Sequence, residues 1–543
     1  MTADIATDGL AARAEHWALT LTRIPSVTGT PDEVAYADTL AGLLRASPAF
    51  HDRPGDVWTI PTGDRLGRAS VAALLRGRGP RTVVLTGHFD TVTTADYGDL
   101  LPVAIDPEPL KQALLARLGK TAQGEREKLA LADLSGPDFL PGRGLLDMKG
   151  GLAVGLAVLE AAAADPDREG NLLFLAVPDE EVNSAGARSA ARALPALAGP
   201  LSLSFDAAIN LDCLGDTGDG SFGRSVALGS VGKLLPSALV VGRAVHAADT
   251  IRGVSAAALA GAVAAAVEWA PELTESLGNT SGTPATLLGM KDGKPGYDVT
   301  TPGTVWMFWN TALYRRGPED VLAPLTRIVE GAVGGVAAQL RQRGGTDVPE
   351  IPVLRFDALR QEVVARSPEA AAAIAALAAE VAEAGLDLPE QCRRITEAVW
   401  RLSGRSGPAV VLGFASMPYL PVVLGEDAAA RRLDRATRDA AATIAARHGT
   451  AIGLERYFPG ISDMSFLGQG DESSVGAIAA NTPAWGAGLH WPEGPALAQI
   501  PIVNAGPWGR DYHTPLERLH RPYAFGVLPE LVQEIVAGVL AGD

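Results

Sequence analysis

Five stretches of this chain carry side chains that could do metal chemistry. His88-Phe89-Asp90 offers an imidazole and a carboxylate two positions apart. Asp147 sits between two glycine pairs, in Gly142-Arg143-Gly144-Leu145-Leu146-Asp147-Met148-Lys149-Gly150-Gly151. Asp179-Glu180-Glu181 sets three acids side by side, and Asp212 and His513 follow further on. Zinc accepts histidine nitrogen and carboxylate oxygen, and its catalytic sites leave one position open for water. A two-metal site also needs a carboxylate able to bridge. Together the five stretches look like a two-metal hydrolase site with Asp147 as its bridge. Taken singly each has a plainer explanation. An Asp in a glycine-rich turn is usually a turn residue or helix cap, and an acidic run is usually a solvated face.

The elements around these residues favour the chemical reading. Residues 70–75, 82–85, 171–177 and 205–212 are short apolar runs that read as buried strands. The second runs into His88 and Asp90, the third into Asp179-Glu180-Glu181, and the fourth ends on Asp212. A strand at 500–503 leads into the Gly- and Pro-rich loop that holds His513. Site residues of open α/β sheets gather at the carboxyl ends of strands. Residues i and i+2 of an extended chain share a face, so His88 and Asp90 are expected to project to one side. Three adjacent acids at the end of a buried strand repel one another, and bound cations would make them tolerable. The Asp147 turn opens onto an apolar helix over 152–164, and its glycines suit a sharp turn with close backbone contacts. Residues 95–140 form an excursion too long for a simple connection and are expected to border the site.

From about Ser221 the pattern changes to strand-helix-strand-strand-helix-strand, with 353–356 as the closing strand. This is a ferredoxin-like split βαβ order. The expected organisation is a first catalytic part at 1–220, an inserted domain at 221–357 and a second catalytic part at 358–543. A helix is expected over 362–384, and the run 409–414 is expected to resume the catalytic sheet.

The 543 residues carry a net charge of −17, which argues against nucleic acid as a partner and suits metal ions or a cationic substrate. Two cysteines, Cys213 and Cys392, form no disulfide framework, so a reducing cytoplasm is the natural compartment. The beginning Met1-Thr2-Ala3-Asp4 has no signal-peptide pattern, and no membrane span is expected. Ser462-Asp463 lacks the Gly-x-Ser-x-Gly elbow of a serine hydrolase and is set aside as a nucleophile.

With these motifs in view, the chain resembles the co-catalytic zinc exopeptidase and amidohydrolase family of the aminoacylases, carboxypeptidase G and succinyl-diaminopimelate desuccinylase. The matching stretches are Gly87-His88-Phe89-Asp90-Thr91-Val92, Gly142–Gly151, Asp179–Gly186, Asp206–Asp212 and Gly506–Glu517, in the family's order over nearly the whole chain. The 95–140 excursion, Phe458–Phe466 and Gly506-Pro507-Trp508-Gly509-Arg510-Asp511-Tyr512-His513 are most similar to the RocB arginine-utilisation branch. The resemblance implies an α/β catalytic domain whose mostly parallel sheet is flanked by helices and interrupted by a lid or dimerisation domain. It implies that His88, Asp147 and Asp212 hold one zinc and that Asp147, Glu181 and His513 hold the other; cobalt and manganese suit the same ligands. Asp90 would fix the His88 ring and its tautomer. Glu180 would act as general base towards the activated water and pass the proton to the leaving amine. His246 would stabilise the oxyanion, from its own chain or from the partner in a homodimer.

Two departures accompany the resemblance. Asp212 stands where the family usually carries Glu. The inserted-domain strand around Asn310 has no Arg to grip a substrate carboxylate, which leaves Asn310 and Arg510 as the candidates for substrate contact. The expected function is hydrolysis of an amide bond in a small peptide or N-acyl amino acid, an arginine derivative included. The alternative is a metal-binding or regulatory protein of amino-acid catabolism without turnover.

Overall fold

Four parallel strands, Glu169–Val177, Arg78–His88, Ser204–Asn210 and Ile502–Asn504, lie side by side at the centre of an eight-stranded sheet. This is a computed structural model, and it describes residues 9–277, 280–345, 347–468, 470, 472–491 and 498–541. Further strands extend the sheet. Ala69–Leu75 and then Val57–Pro61 pair antiparallel on one side; on the other, Ser225–Ala227 pairs antiparallel and Gly453–Glu455 pairs parallel with it. The central strands are near-continuous apolar runs because both their faces are buried. Val83, Leu85, Phe174, Ala176, Ala207 and Ile209 join the helix-covered core, while Val84, Leu173, Leu175 and Ala208 are buried on the opposite face. The helices Leu10–Thr22, Gly150–Ala163 and Leu528–Leu540 pack on one another over that core.

All four central strands point their carboxyl ends the same way, and a candidate ligand ends or follows each of them. The helix Gly150–Ala163 is buried all round through Leu159, which matches its lack of a polar face. It can approach the strand ends because Gly151 has no side chain. A Cβ there would lie 1.9 Å from the carbonyl oxygen of Leu211, next to Asp212.

The excursion at 95–140 is largely helical, with Pro107–Thr121 and Glu125–Ser135 packed together. It returns as a short strand, Phe139–Pro141, in a four-stranded sheet that the sequence did not reveal. The order is Phe139–Pro141, Arg518–His520, Trp508–Arg510 and Leu214–Gly215. This small sheet ties together the segments that precede Asp147, flank His513 and follow Asp212.

These elements form one unit, comprising the residues up to Ser230, Val422–Gly470 and those beyond Trp491. The second unit comprises Val231–Pro421 and the stretch up to Trp491 that follows Gly470. Its sheet places Pro236–Val241 between Thr304–Leu313 and Ala409–Phe414, with Thr286–Asp292 on the far side of Thr304–Leu313. That is the ferredoxin-like order, but the division differs from the expected 221–357 insertion. The fourth strand is Ala409–Phe414, not 353–356. Val353–Arg355 pairs in parallel outside it, and three helices intervene, Phe356–Arg366, Pro368–Glu383 and Leu388–Leu402. A short apolar run carries no periodicity that assigns it to one sheet or another, so non-local pairing decides. The helix expected over 362–384 breaks at Ser367, whose hydroxyl accepts the Ala370 N–H at 3.3 Å ahead of Pro368 in the first turn.

Pro318–Gln342 and Pro522–Leu540 are long and apolar enough to cross a bilayer by length and composition. Most of the second is buried in the core of the first unit.

Candidate metal centre

The turn before the buried helix presents Asp147. Gly144 begins it with φ +74°, where a Cβ would lie 2.4 Å from the Thr91 methyl carbon. Glu517 then holds the loop from inside. Its Oε1 accepts the N–H groups of Gly144 (3.0 Å), Leu146 (3.3 Å) and Asp147 (3.5 Å), and its Oε2 pairs with the Arg143 guanidinium at 2.8 Å. Arg143 is buried too, and its second nitrogen reaches Asp96 of the excursion at 2.7 Å. Removing one partner of a buried ion pair leaves the other charge uncompensated and costs about 3–5 kcal/mol. Arg143→Met is therefore expected to lower the unfolding free energy by about that amount, read as a fall in the denaturant midpoint at unchanged slope. A midpoint equal to wild type would remove this role for the pair.

The two carboxylate oxygens of Asp147 face two histidines. Oδ1 lies 3.1 Å from His88 Nε2, and Oδ2 lies 3.1 Å from His513 Nε2. Glu181 Oε1 lies 3.1 Å from the same His513 nitrogen. Two groups result, His88 with Asp147 and Asp212, and Asp147 with Glu181 and His513. In each, the candidate ligand atoms lie within 4.8 Å of one another. Glu180 belongs to neither group, and its Oε2 is 3.9 Å from His88 Nε2.

Asp90 fixes this arrangement in a way the sequence did not indicate. The strand ends at His88, so the shared-face expectation does not apply. The main-chain carbonyl of Asp90 lies 3.0 Å from His88 Nδ1, and its carboxylate stands off at 3.6 Å. That places the proton on Nδ1 and leaves Nε2 free for the site. The Asp90 carboxylate instead accepts the N–H groups of Glu180 (3.1 Å) and Glu181 (3.3 Å) and the Thr28 hydroxyl (2.8 Å). Asp212 is held by Asn504, whose side chain accepts from the Asp212 N–H at 3.1 Å and donates to its carbonyl at 2.9 Å. Asp463 is a further buried carboxylate, pushed up to about 7 by burial, and it acts electrostatically on Glu180 and Asp212. The neighbouring Ser462 hydroxyl is engaged with Asn210 at 3.1 Å.

The charges explain what the cleft needs. Burial, then the proximity of Asp147, pushes the Asp212 carboxyl up to about 8. Burial also drives Glu180 well above the carboxylate range, and raises Glu181. Burial would raise Asp147 as well, but hydrogen bonds from His513 and His88 hold it well below its ordinary value. His513 resists its own desolvation through Asp147 and Glu181 and rises to about 10. Desolvated carboxylates crowded this closely must bind protons or cations. Imidazole nitrogens with a shared carboxylate are a donor set for two divalent ions, so the residues fit the metals.

The remaining candidates are Arg510, Asn310 and His246. Arg510 does not serve as a substrate grip. Its guanidinium pairs with both Asp133 oxygens (2.7 and 2.6 Å), donates to the carbonyls of Asp216 and Gly218, and lies over Phe139 and Trp508. Asn310 and His246 both belong to the second unit. Asn310 lies opposite Thr286 in the sheet. His246 is exposed, and its Nδ1 accepts the Ala248 N–H at 3.1 Å.

Comparison with known proteins identifies the family. The model of peptidase family M20/M25/M40 matches residues 132–478. The uncharacterized protein YqjN of Bacillus subtilis (strain 168) is 31% identical over 532 residues, covering 96% of this chain and 95% of that protein. The protein RocB of the same organism is 28% identical over 550 residues, covering 98% and 95%. Among solved structures, the dipeptidase Dug1p of Saccharomyces cerevisiae superposes with a TM-score of 0.55 over 98% of this chain and 97% of that one, at 11% identity; at that identity the likeness is one of fold. The chain is a metal-dependent hydrolase of peptidase family M20/M25/M40, in its RocB-like branch.

Proposed function

We propose that this enzyme uses two zinc ions to hydrolyse an amide bond in a small peptide or N-acyl amino acid, with an arginine derivative among the candidates. One observation carries the reading. The two oxygens of Asp147 serve two ligand groups, while Glu180 stands beside them and belongs to neither. Bound at these groups, divalent ions supply Lewis acidity and lower the pKa of the attacking water to about 7. The chain does the rest. Glu180 takes a proton from that water and delivers it to the departing amine. Asp90 keeps Glu180 and Glu181 in place by their backbone N–H groups and holds the His88 ring through its carbonyl. Glu517 and Asn504 do the same for Asp147 and Asp212. In this reading His246 stabilises the oxyanion, in its own chain or across a homodimer formed through the second unit. The cationic-substrate preference rests on the net charge of −17 and on the resemblance of residues 458–466 and 506–513 to the arginine-utilisation branch. The two cysteines are buried and free, which accords with a cytoplasmic setting.

The test pairs metal analysis with a hydrolysis screen. Purified protein is assayed for zinc, then for amine release from dipeptides and N-acyl amino acids, arginine derivatives included. About two metals per chain with turnover of some of these is the expected result. A metal-loaded, folded protein inert towards the whole panel would overturn the substrate class.

A further inference from the structure

The loop that carries Glu180 and Glu181 is wound against its own backbone preferences. Asp179 has φ +70° and Ser184 φ +52°, left-handed values that residues with a Cβ avoid. Such turns persist only where their surroundings over-determine them. Within the loop, the Asp179 carbonyl accepts the N–H groups of Asn183 (3.1 Å) and Ser184 (2.5 Å). The Asp179 carboxylate is pinned at both oxygens. Oδ2 accepts the Ala185 N–H at 3.0 Å, and Oδ1 takes the Arg68 guanidinium at 2.6 Å. Arg68 is fixed in turn. Its Nη1 lies 3.2 Å from both oxygens of Glu33, and its Nε lies 2.7 Å from Asp64. Glu33 is fully buried and accepts the Gly29 N–H at 2.7 Å. Arg68 and Asp179 are buried as well, and none of the three belongs to either ligand group.

We infer that Arg68, braced by Glu33, is a positioning residue that acts through Asp179 to place the ligand Glu181 and its neighbour Glu180. The inference rests on the two-metal reading above. Without the guanidinium, Glu33 and Asp179 face each other as buried carboxylates, and the left-handed turn loses its outer restraint. Glu181 then no longer meets His513 in the required geometry. Groups that orient metal ligands from behind typically contribute 10–100-fold to metal affinity. The effect is one-sided. Glu181 serves only the group with His513, whereas His88 ends another strand and is held by the Asp90 main-chain carbonyl, and Asp212 follows a third strand and is held by Asn504.

The test is a cobalt(II) titration of the full-length, metal-free protein, followed by visible absorption, with kinetics alongside. His513→Ala marks the binding step that involves Glu181, and Asp212→Asn marks the other. Arg68→Met is expected to weaken the His513-marked step about 10–100-fold and leave the other within about threefold, while kcat falls more than KM rises. Adding Asp179→Asn to Arg68→Met should cost no more than about a further threefold, because the two act as one unit. If Arg68→Met does not fold, as judged by its thermal transition, Arg68→Lys and Asp179→Asn carry the same expectation, since an ammonium cannot reproduce the fork on three carboxylates. Equal weakening of both steps, no weakening of either, or additive losses in the double variant would overturn the inference. A wild type that binds two cobalt ions yet cleaves nothing in the panel would overturn the proposed substrate class alone, and the titration would still decide the role of Arg68. A wild type that binds no cobalt would overturn both.

Discussion

Asp147→Asn is expected to reduce the metal content from about two ions per chain to one or fewer and to lower kcat/KM by roughly 10⁴-fold or more, since activation of water depends on the bound ions. The substitution preserves volume and shape, but a neutral amide cannot serve as an anionic bridge. Among the described residues Asp147 is the one member common to both ligand groups, with one oxygen 3.1 Å from His88 and the other 3.1 Å from His513. Its loss therefore differs in kind from the loss of a terminal ligand. His513→Ala takes a donor from one group only and should release one ion. The comparison is direct: elemental analysis of wild type, Asp147→Asn and His513→Ala after identical loading, with activity measured on the same samples. Two ions and more than a tenth of wild-type activity in Asp147→Asn would mean that Asp147 does not bridge.

The candidate ligands other than Asp147 were legible because each is tied to a local signal. A buried apolar run ends, and a histidine or carboxylate closes it or follows in the loop beyond, whereas Asp147 stands in a glycine-rich turn. Those runs are the four parallel strands of the sheet, and parallel strands deliver their carboxyl ends to one edge whatever their order in the chain. The holders were illegible because they act over long separations. Glu517 grips the Asp147 loop from 373 residues away for Gly144, and Asn504 grips Asp212 from 292. Neither position differs from its neighbours in hydropathy or spacing. The contacts of Asp90 were legible only in part. Its neighbourhood to His88 is local and readable, but its carboxylate turns to the N–H groups of Glu180 and Glu181, about 90 residues on.

Arg510 shows the opposite error, a local signal with a misleading partner. A cation three residues before a candidate ligand suggests a substrate grip. Its real partners are Asp133, in the excursion, and the carbonyls of Asp216 and Gly218. The small sheet that joins Trp508–Arg510 to Leu214–Gly215 and Arg518–His520 creates that environment, and no pattern of its very short strands announces it. The Ala409–Phe414 strand failed similarly. Its apolar run was recognised as a buried strand, and only its pairing with Pro236–Val241 shows which sheet it enters.

Glu180→Gln separates the base from the metal ligands. Glu180 lies next to Glu181 in sequence, yet Glu181 approaches His513 at 3.1 Å while Glu180 stands 3.9 Å from His88. The amide keeps the side chain's size and leaves the backbone contacts to Asp90 intact, so both ions should stay. What is lost is the capacity to take a proton. General-base catalysis contributes about 10²–10⁴-fold, and the expected result is a fall in kcat within that range, with KM within about threefold and metal content unchanged. Glu180→Asp should sit between, because it keeps the chemistry but draws the carboxylate back by one methylene, and a displacement of about 1 Å costs about 10²-fold. Two outcomes would count against the assignment. Retention of more than a tenth of wild-type kcat in Glu180→Gln would move the base elsewhere, with Asp463, buried and electrostatically coupled to Glu180, the next residue to replace. Loss of an ion in Glu180→Gln would make Glu180 a ligand, and the division of labour between the two adjacent glutamates would have to be redrawn.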